Sequence, residues 1–207
     1  MKSLIRSFVY AACAITVLSL AACGNSGQNT DNGAGQDSDN GTTVAPVADS
    51  IQTADSRGYI VTTGETVPQF DLQLPDGTKI PIDQLKGKVV MLQFTASWCG
   101  VCRKEMPFIE KDIWLKLKDN PDFALYGIDL KENEEQIKEF AASIPVTYPI
   151  TLDPDGAIFN LFCTPDAGVT RNIILDREGK IIMLTRLYDP EEFGRMVETI
   201  NAELAKE

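Results

Sequence analysis

Phe94-Thr95-Ala96-Ser97-Trp98-Cys99-Gly100-Val101-Cys102-Arg103-Lys104-Glu105-Met106-Pro107 is the stretch on which the reading of this chain turns. It grows out of Val89-Val90-Met91-Leu92-Gln93-Phe94, a nearly continuous apolar run of the kind found in a strand buried on both faces. A helix is predicted from about Cys99 to Leu117, with Pro107 as a kink inside it. Two cysteines spaced (i, i+3) at a strand-to-helix junction share a helix face, so a disulfide can close between them. Cys99 falls at the helix N-terminus, where free backbone N–H groups and the macrodipole favour a thiolate. Cys102 sits one turn further in, suited to resolve a mixed disulfide, and Gly100 leaves room for a partner sulfur to approach.

Outward from this stretch the pattern is that of an α/β domain. Pro68–Leu72 and Thr78–Ile82 flank Pro75-Asp76-Gly77 as a hairpin. Phe123–Ile128 reads as a second buried strand, Glu134–Ser143 as a helix, and Pro149–Leu152 as extended chain. Ala157–Phe162 reads as a short helix. Ile173–Leu175 and Ile181–Thr185 are strands around the turn Asp176–Lys180, and Pro190–Leu204 is a closing helix with Pro at its first turn. This order predicts a central mixed sheet with helices on both faces.

Composition removes whole classes of chemistry. The chain has 207 residues and no histidine, so a Ser-His-Asp or Cys-His nucleophile pair, a His-ligated zinc and a His-ligated haem are all excluded. Its net charge of −11 offers no electrostatic footprint for nucleic acid. The five cysteines are Cys13, Cys23, Cys99, Cys102 and Cys163. A four-cysteine zinc site needs a second pair, and only Cys163 is left in the domain. A structural disulfide is the plain alternative for Cys99 and Cys102, but such bonds staple distant segments rather than neighbouring helix positions. Cys163 reads as a small buried hydrophobe or as a third redox thiol.

Residues 1–22 read as an address. Lys2 and Arg6 precede an apolar run from Phe8 to Ala22, too short to span a bilayer core of about 30 Å at about 1.5 Å per residue. The run ends in Leu20-Ala21-Ala22-Cys23, which resembles the bacterial lipobox. That resemblance implies removal of 1–22 and acylation of Cys23, giving a lipid anchor on a membrane outside the cytoplasm, where disulfides can form. Residues 23–58 are polar and nearly devoid of large apolar side chains, the composition of a flexible tether. The folded domain is expected over 59–207.

Phe94 to Pro107 is similar to the active-site signature of thioredoxin-like proteins, and in particular of the envelope-tethered TlpA/ResA group. The likeness runs from about Gly64 to Leu204. It includes Trp98-Cys99-Gly100-Val101-Cys102, the entry hairpin, an inserted segment over 129–162 and the closing Ile174–Ile181. It implies a thioredoxin-like fold and disulfide exchange, with Cys99 attacking and Cys102 resolving. The partners implied are protein thiols and disulfides of the bacterial envelope, together with an upstream electron donor or acceptor. No cofactor beyond the redox-active disulfide is expected. Thiol peroxidase chemistry at Cys99 and a non-catalytic binding module are the competing readings.

Two positions depart from the family pattern. Thioredoxin has a buried acidic residue six positions before its first Cys; here that position is Gln93. Glu105 and Glu110 could stand in for it, though both read chiefly as solvated surface residues. The family also places a cis-Pro six residues before the Asp of the closing turn; here that position is Thr170, and Pro165 lies five residues earlier. Thr170 is expected opposite Cys99 with a trans peptide bond before it. Arg171 is expected either beside the thiolate, as in peroxiredoxin-like redoxins, or in a surface ion pair.

Overall fold

The computed structural model describes residues 57–206. The expected signal peptide (1–22), the acylated Cys23 and the expected tether up to residue 56 lie outside the described residues. Arg57 and Gly58 already belong to the domain: the Arg57 guanidinium reaches Glu192 at 2.7 Å, and Gly58 O accepts from Thr164 N.

Seven strands form one mixed sheet in the order β2-β1-β5-β4-β3-β6-β7. They are β1 (Asp71–Gln73), β2 (Lys79–Pro81), β3 (Val89–Thr95), β4 (Phe123–Leu130), β5 (Ile150–Asp153), β6 (Arg171–Leu175) and β7 (Ile181–Arg186). β3, β4 and β5 run parallel, and the remaining pairings are antiparallel. All seven residues of β3 are buried, as an apolar run flanked by β4 and β6 requires.

Helix α1 (Gly100–Ile109) continues through a π-helical turn at Glu110–Trp114 into the short α2 (Leu115–Leu117). The expected helix is therefore present, with its irregularity one turn beyond Pro107. Proline has no N–H to donate and disturbs the regular ladder at that point. Helix α3 (Glu134–Ser143) opens with a capping box between Asn133 and Gln136, and α4 (Pro190–Leu204) is capped by Asp189 with Pro190 at its first position. Ala157–Phe162 contributes only a 3₁₀ turn, Phe159–Leu161. Its end is drawn into extended pairing, with Ile60 N donating to Phe162 O and Tyr59 bridging Cys163.

Alternation along the strands sends neighbouring residues to opposite faces. From β3, Gln93 accepts from Tyr148 Oη at 2.7 Å, and Thr95 Oγ1 lies 3.4 Å from Met106 Sδ of α1. Phe94 faces the other way and packs edge-on against Phe159 and Phe162. The long helix of the active-site stretch thus packs on one face, and the 3₁₀ turn Phe159–Leu161 on the other. Among the described residues no helix is long and apolar enough to cross a membrane.

Candidate active site

The end of β3 delivers the chain into the loop Ala96-Ser97-Trp98 and then into α1. Glu132 holds this loop by accepting from Ser97 N at 2.6 Å and from the Ser97 hydroxyl. Asp129, paired across the ladder with Thr95, is buried beside Glu132. Burial, followed by the Glu132 carboxylate, pushes the Asp129 carboxyl up to about 8.

Cys99 is the N-cap of α1, and its sulfur accepts from Cys102 N at 3.1 Å. That places a backbone donor and the positive end of the helix dipole on this sulfur. Cys99 and Cys102 form a disulfide, with Cα atoms 5.3 Å apart. Cys99 is 7% exposed and Cys102 0%, so an incoming sulfur meets Cys99 first. Gly100 has open space where a side chain would project. Trp98 is 64% exposed beside the pair, and Val101, Phe108 and Leu187 also present apolar surface. Phe108 stacks on Tyr188 at 5.0 Å, while Leu187 N donates to Thr170 O, so both ends of the β7–α4 connection are drawn to this surface.

Thr170, rather than Pro165, meets the sulfurs. Its hydroxyl is 3.2 Å from Cys99 Sγ and 3.3 Å from Cys102 Sγ, and the peptide bond before it is trans. Arg171 requires a correction. As the next residue on the strand it turns to the opposite face, where it is fully buried over the Tyr59 ring at 4.4 Å. It donates to Gly168 O and Arg57 O. It therefore neither flanks the thiolate nor forms a surface ion pair. Cys163 lies on Arg171's side of the sheet, buried against Tyr59, and burial pushes its thiol up to about 11.

Glu105 and Glu110 also differ from expectation, because both are buried. Glu110 is structural, accepting from Thr147 N and Thr147 Oγ1 at 2.8 and 2.6 Å. Glu105 follows Cys102 by one helical turn and accepts from Asn172 Nδ2 at 2.7 Å. Burial raises its carboxyl to about 7, and the hydrogen bond from Asn172 offsets only part of that. The acidic group near the pair is therefore supplied by the helix, while Gln93 occupies the strand position. Its sequence signal was the (i, i+3) spacing from Cys102, which repeats that of the cysteines. Asn172 was missed; it is two residues beyond Thr170, and strand alternation returns it to the same face.

Comparison with known proteins agrees with this geometry. The model of the Redoxin family matches residues 62–204. The chain is 32% identical over 135 residues to the thioredoxin-like protein YneN of Bacillus subtilis, covering 63% of this chain and 75% of that one. It is 28% identical over 119 residues to the thiol-disulfide oxidoreductase ResA of Bacillus cereus, covering 58% of this chain and 66% of the relative. A solution structure of a candidate protein disulfide isomerase from Bacteroides thetaiotaomicron superposes with a TM-score of 0.70 at 60% identity, over 72% of this chain and 94% of that one. A crystal structure of a candidate thiol:disulfide interchange protein DsbE from Chlorobium tepidum gives 0.62 at 26% identity, over 70% and 99%. The fold is thioredoxin-like, and the chain belongs to the redoxin family as a thiol–disulfide oxidoreductase with the pair Cys99 and Cys102.

Proposed function

We propose that this chain exchanges disulfides with protein partners of the bacterial envelope, with Cys99 attacking and Cys102 resolving. The observation that carries the reading is a disulfide whose outer sulfur caps a helix and whose inner sulfur is fully buried. Exposed Trp98, Val101 and Leu187 beside it suit a protein partner, which buries apolar surface on docking. The reacting electrons reside in the pair itself, and the proposal invokes no further cofactor. To Glu105, one helical turn beyond Cys102, the proposal assigns uptake of the Cys102 proton during resolution, since a carboxyl raised to about 7 is poised near neutral pH.

Lipid anchoring through Cys23 is part of the proposal and rests on the lipobox-like Leu20-Ala21-Ala22-Cys23. Peroxide reduction is disfavoured as the alternative, because Arg171 points to the opposite face and brings no cation to Cys99. The test is trapping. In envelope extracts, Cys102→Ser should accumulate mixed disulfides at Cys99, whereas Cys99→Ser should accumulate none and lose turnover. A Cys102→Ser protein that traps nothing while wild type is active refutes the two-thiol scheme. Cys23→Ala should move the protein to the soluble fraction with exchange in vitro unchanged.

A further inference from the structure

Thr170 is nearly fully buried, and its hydroxyl has no hydrogen-bond partner among the described residues other than the two sulfurs. Its carbonyl is tied to Leu187 N at 3.1 Å, and Val169 and Arg171 on either side are buried. The side chain is therefore aimed by the strand and not by solvent. We propose that Thr170 is a catalytic residue whose hydroxyl hydrogen-bonds the negative charge as it moves between Cys99 and Cys102, and so sets the acidity of Cys99. This rests on the exchange reading of the pair.

A hydroxyl has one proton to donate and two lone pairs. In the closed disulfide the Thr170 hydroxyl lies within reach of both sulfurs, and Cys102 N–H reaches Cys99 Sγ. Once the pair is reduced, Thr170 O–H is to donate to the Cys99 thiolate alongside that N–H, and Thr170 Oγ1 to accept from Cys102 S–H. A second donor on the anion favours it over the thiol. The Cys99 thiolate then attacks one sulfur of a partner disulfide. The Cys99–partner bond forms, the partner's own S–S bond breaks, and its other sulfur departs as a thiolate that takes a proton from solvent.

Cys102 next gives up its proton to the Glu105 carboxylate, and its thiolate attacks Cys99 Sγ. The Cys99–Cys102 bond forms, the Cys99–partner bond breaks, and the second partner sulfur leaves with the electron pair. The partner is reduced by two electrons and the pair is oxidised. During this step the hydroxyl turns to Cys102 Sγ, at almost the same distance as Cys99 Sγ. In the reverse direction it meets Cys102 as the leaving thiolate.

The test uses the full-length reduced chain. The rate of iodoacetamide alkylation at Cys99, identified by peptide mass, is followed against pH. Thr170→Val keeps the branched shape and removes the hydroxyl, and Thr170→Ala controls for packing. Both should move the midpoint of the profile up by about one pH unit, roughly a tenfold loss of thiolate at pH values below both midpoints. Thr170→Ser, which restores the hydroxyl, should return it close to wild type. A midpoint unmoved by Val and Ala, or moved equally by Ser, overturns the proposal. Wild-type protein that fails to exchange with any disulfide would strike the proposed function instead, and the alkylation profile would still decide the role of Thr170.

Discussion

Asn172 on β6 donates to Glu105 on α1 at 2.7 Å, joining the strand that follows Thr170 to the helix that begins after Cys99. The same amide nitrogen reaches Thr185 Oγ1 on β7 at 2.9 Å. Gln93, Asn172 and Thr185 are cross-strand neighbours, so a polar row crosses three strands beneath α1. Buried polar groups of this kind are held at a cost that depends on their protonation.

That cost gives stability a pH dependence. Glu105 titrates near 7 in the folded chain against a reference of 4.5. Between these values the unfolded chain loses its proton while the folded chain keeps it, so stability falls as pH rises, by about 3 kcal/mol from this group. Asp129, raised to about 8, acts with the same sign. Glu105→Gln should therefore flatten the part of the decline that falls between pH 4.5 and about 7 in urea unfolding. An unchanged slope would contradict the burial assigned to Glu105.

The three domain cysteines should separate by reactivity. After reduction of the native protein, Cys99 should alkylate first, since it is the most accessible of the three cysteines and its sulfur is capped by Cys102 N–H. Cys163, with its thiol pushed up to about 11, should label only on unfolding. Peptide mass mapping over time checks this. Cys163 labelling at the rate of Cys99 would be inconsistent with its place on the far side of the sheet.

Arg171→Met should destabilise the domain by about 3 kcal/mol, because it strips donors from two carbonyls and removes the cation from the Tyr59 ring. The Cys99 alkylation midpoint should stay put. Chemical denaturation and the alkylation profile measure the two effects independently, and a large shift in the midpoint would place Arg171 functionally at the thiolate after all.

Leu187 adopts φ 63°, a left-handed conformation costly for a bulky side chain. Leu187→Gly should keep the N–H bond to Thr170 O and raise stability by up to about 1 kcal/mol. It should also slow exchange with protein substrates more than exchange with a small disulfide, since an exposed apolar side chain beside the pair is lost. Equal slowing of both would argue against a docking role.

Most of the frame was legible because its signals are local. The apolar run at 89–94 and the Pro190 start of α4 translate directly into a buried strand and a capped helix. The cysteine spacing likewise fixed which residues form the disulfide. Glu105 and Arg171 were misplaced because their surroundings are set by tertiary packing. Charge alone suggested solvent for Glu105, whereas the face it occupies is fixed by α1 lying on the sheet. For Arg171, adjacency in sequence to Thr170 suggested adjacency in space, which the two-residue strand period forbids. The short helix expected at 157–162 is cut to the 3₁₀ turn Phe159–Leu161, and the Phe162 carbonyl pairs instead with Ile60, about a hundred residues away.

The bond from Leu187 N to Thr170 O extends the β6–β7 ladder to the edge of the sulfur pair. That bond occupies the Thr170 carbonyl, and exposed Trp98, Val101 and Leu187 supply the apolar surface of this seam. Contact of that sort has little counterion contribution. Despite the net charge of −11, docking under the proposed function should change little with ionic strength, which exchange rates with a protein disulfide at low and high salt would measure.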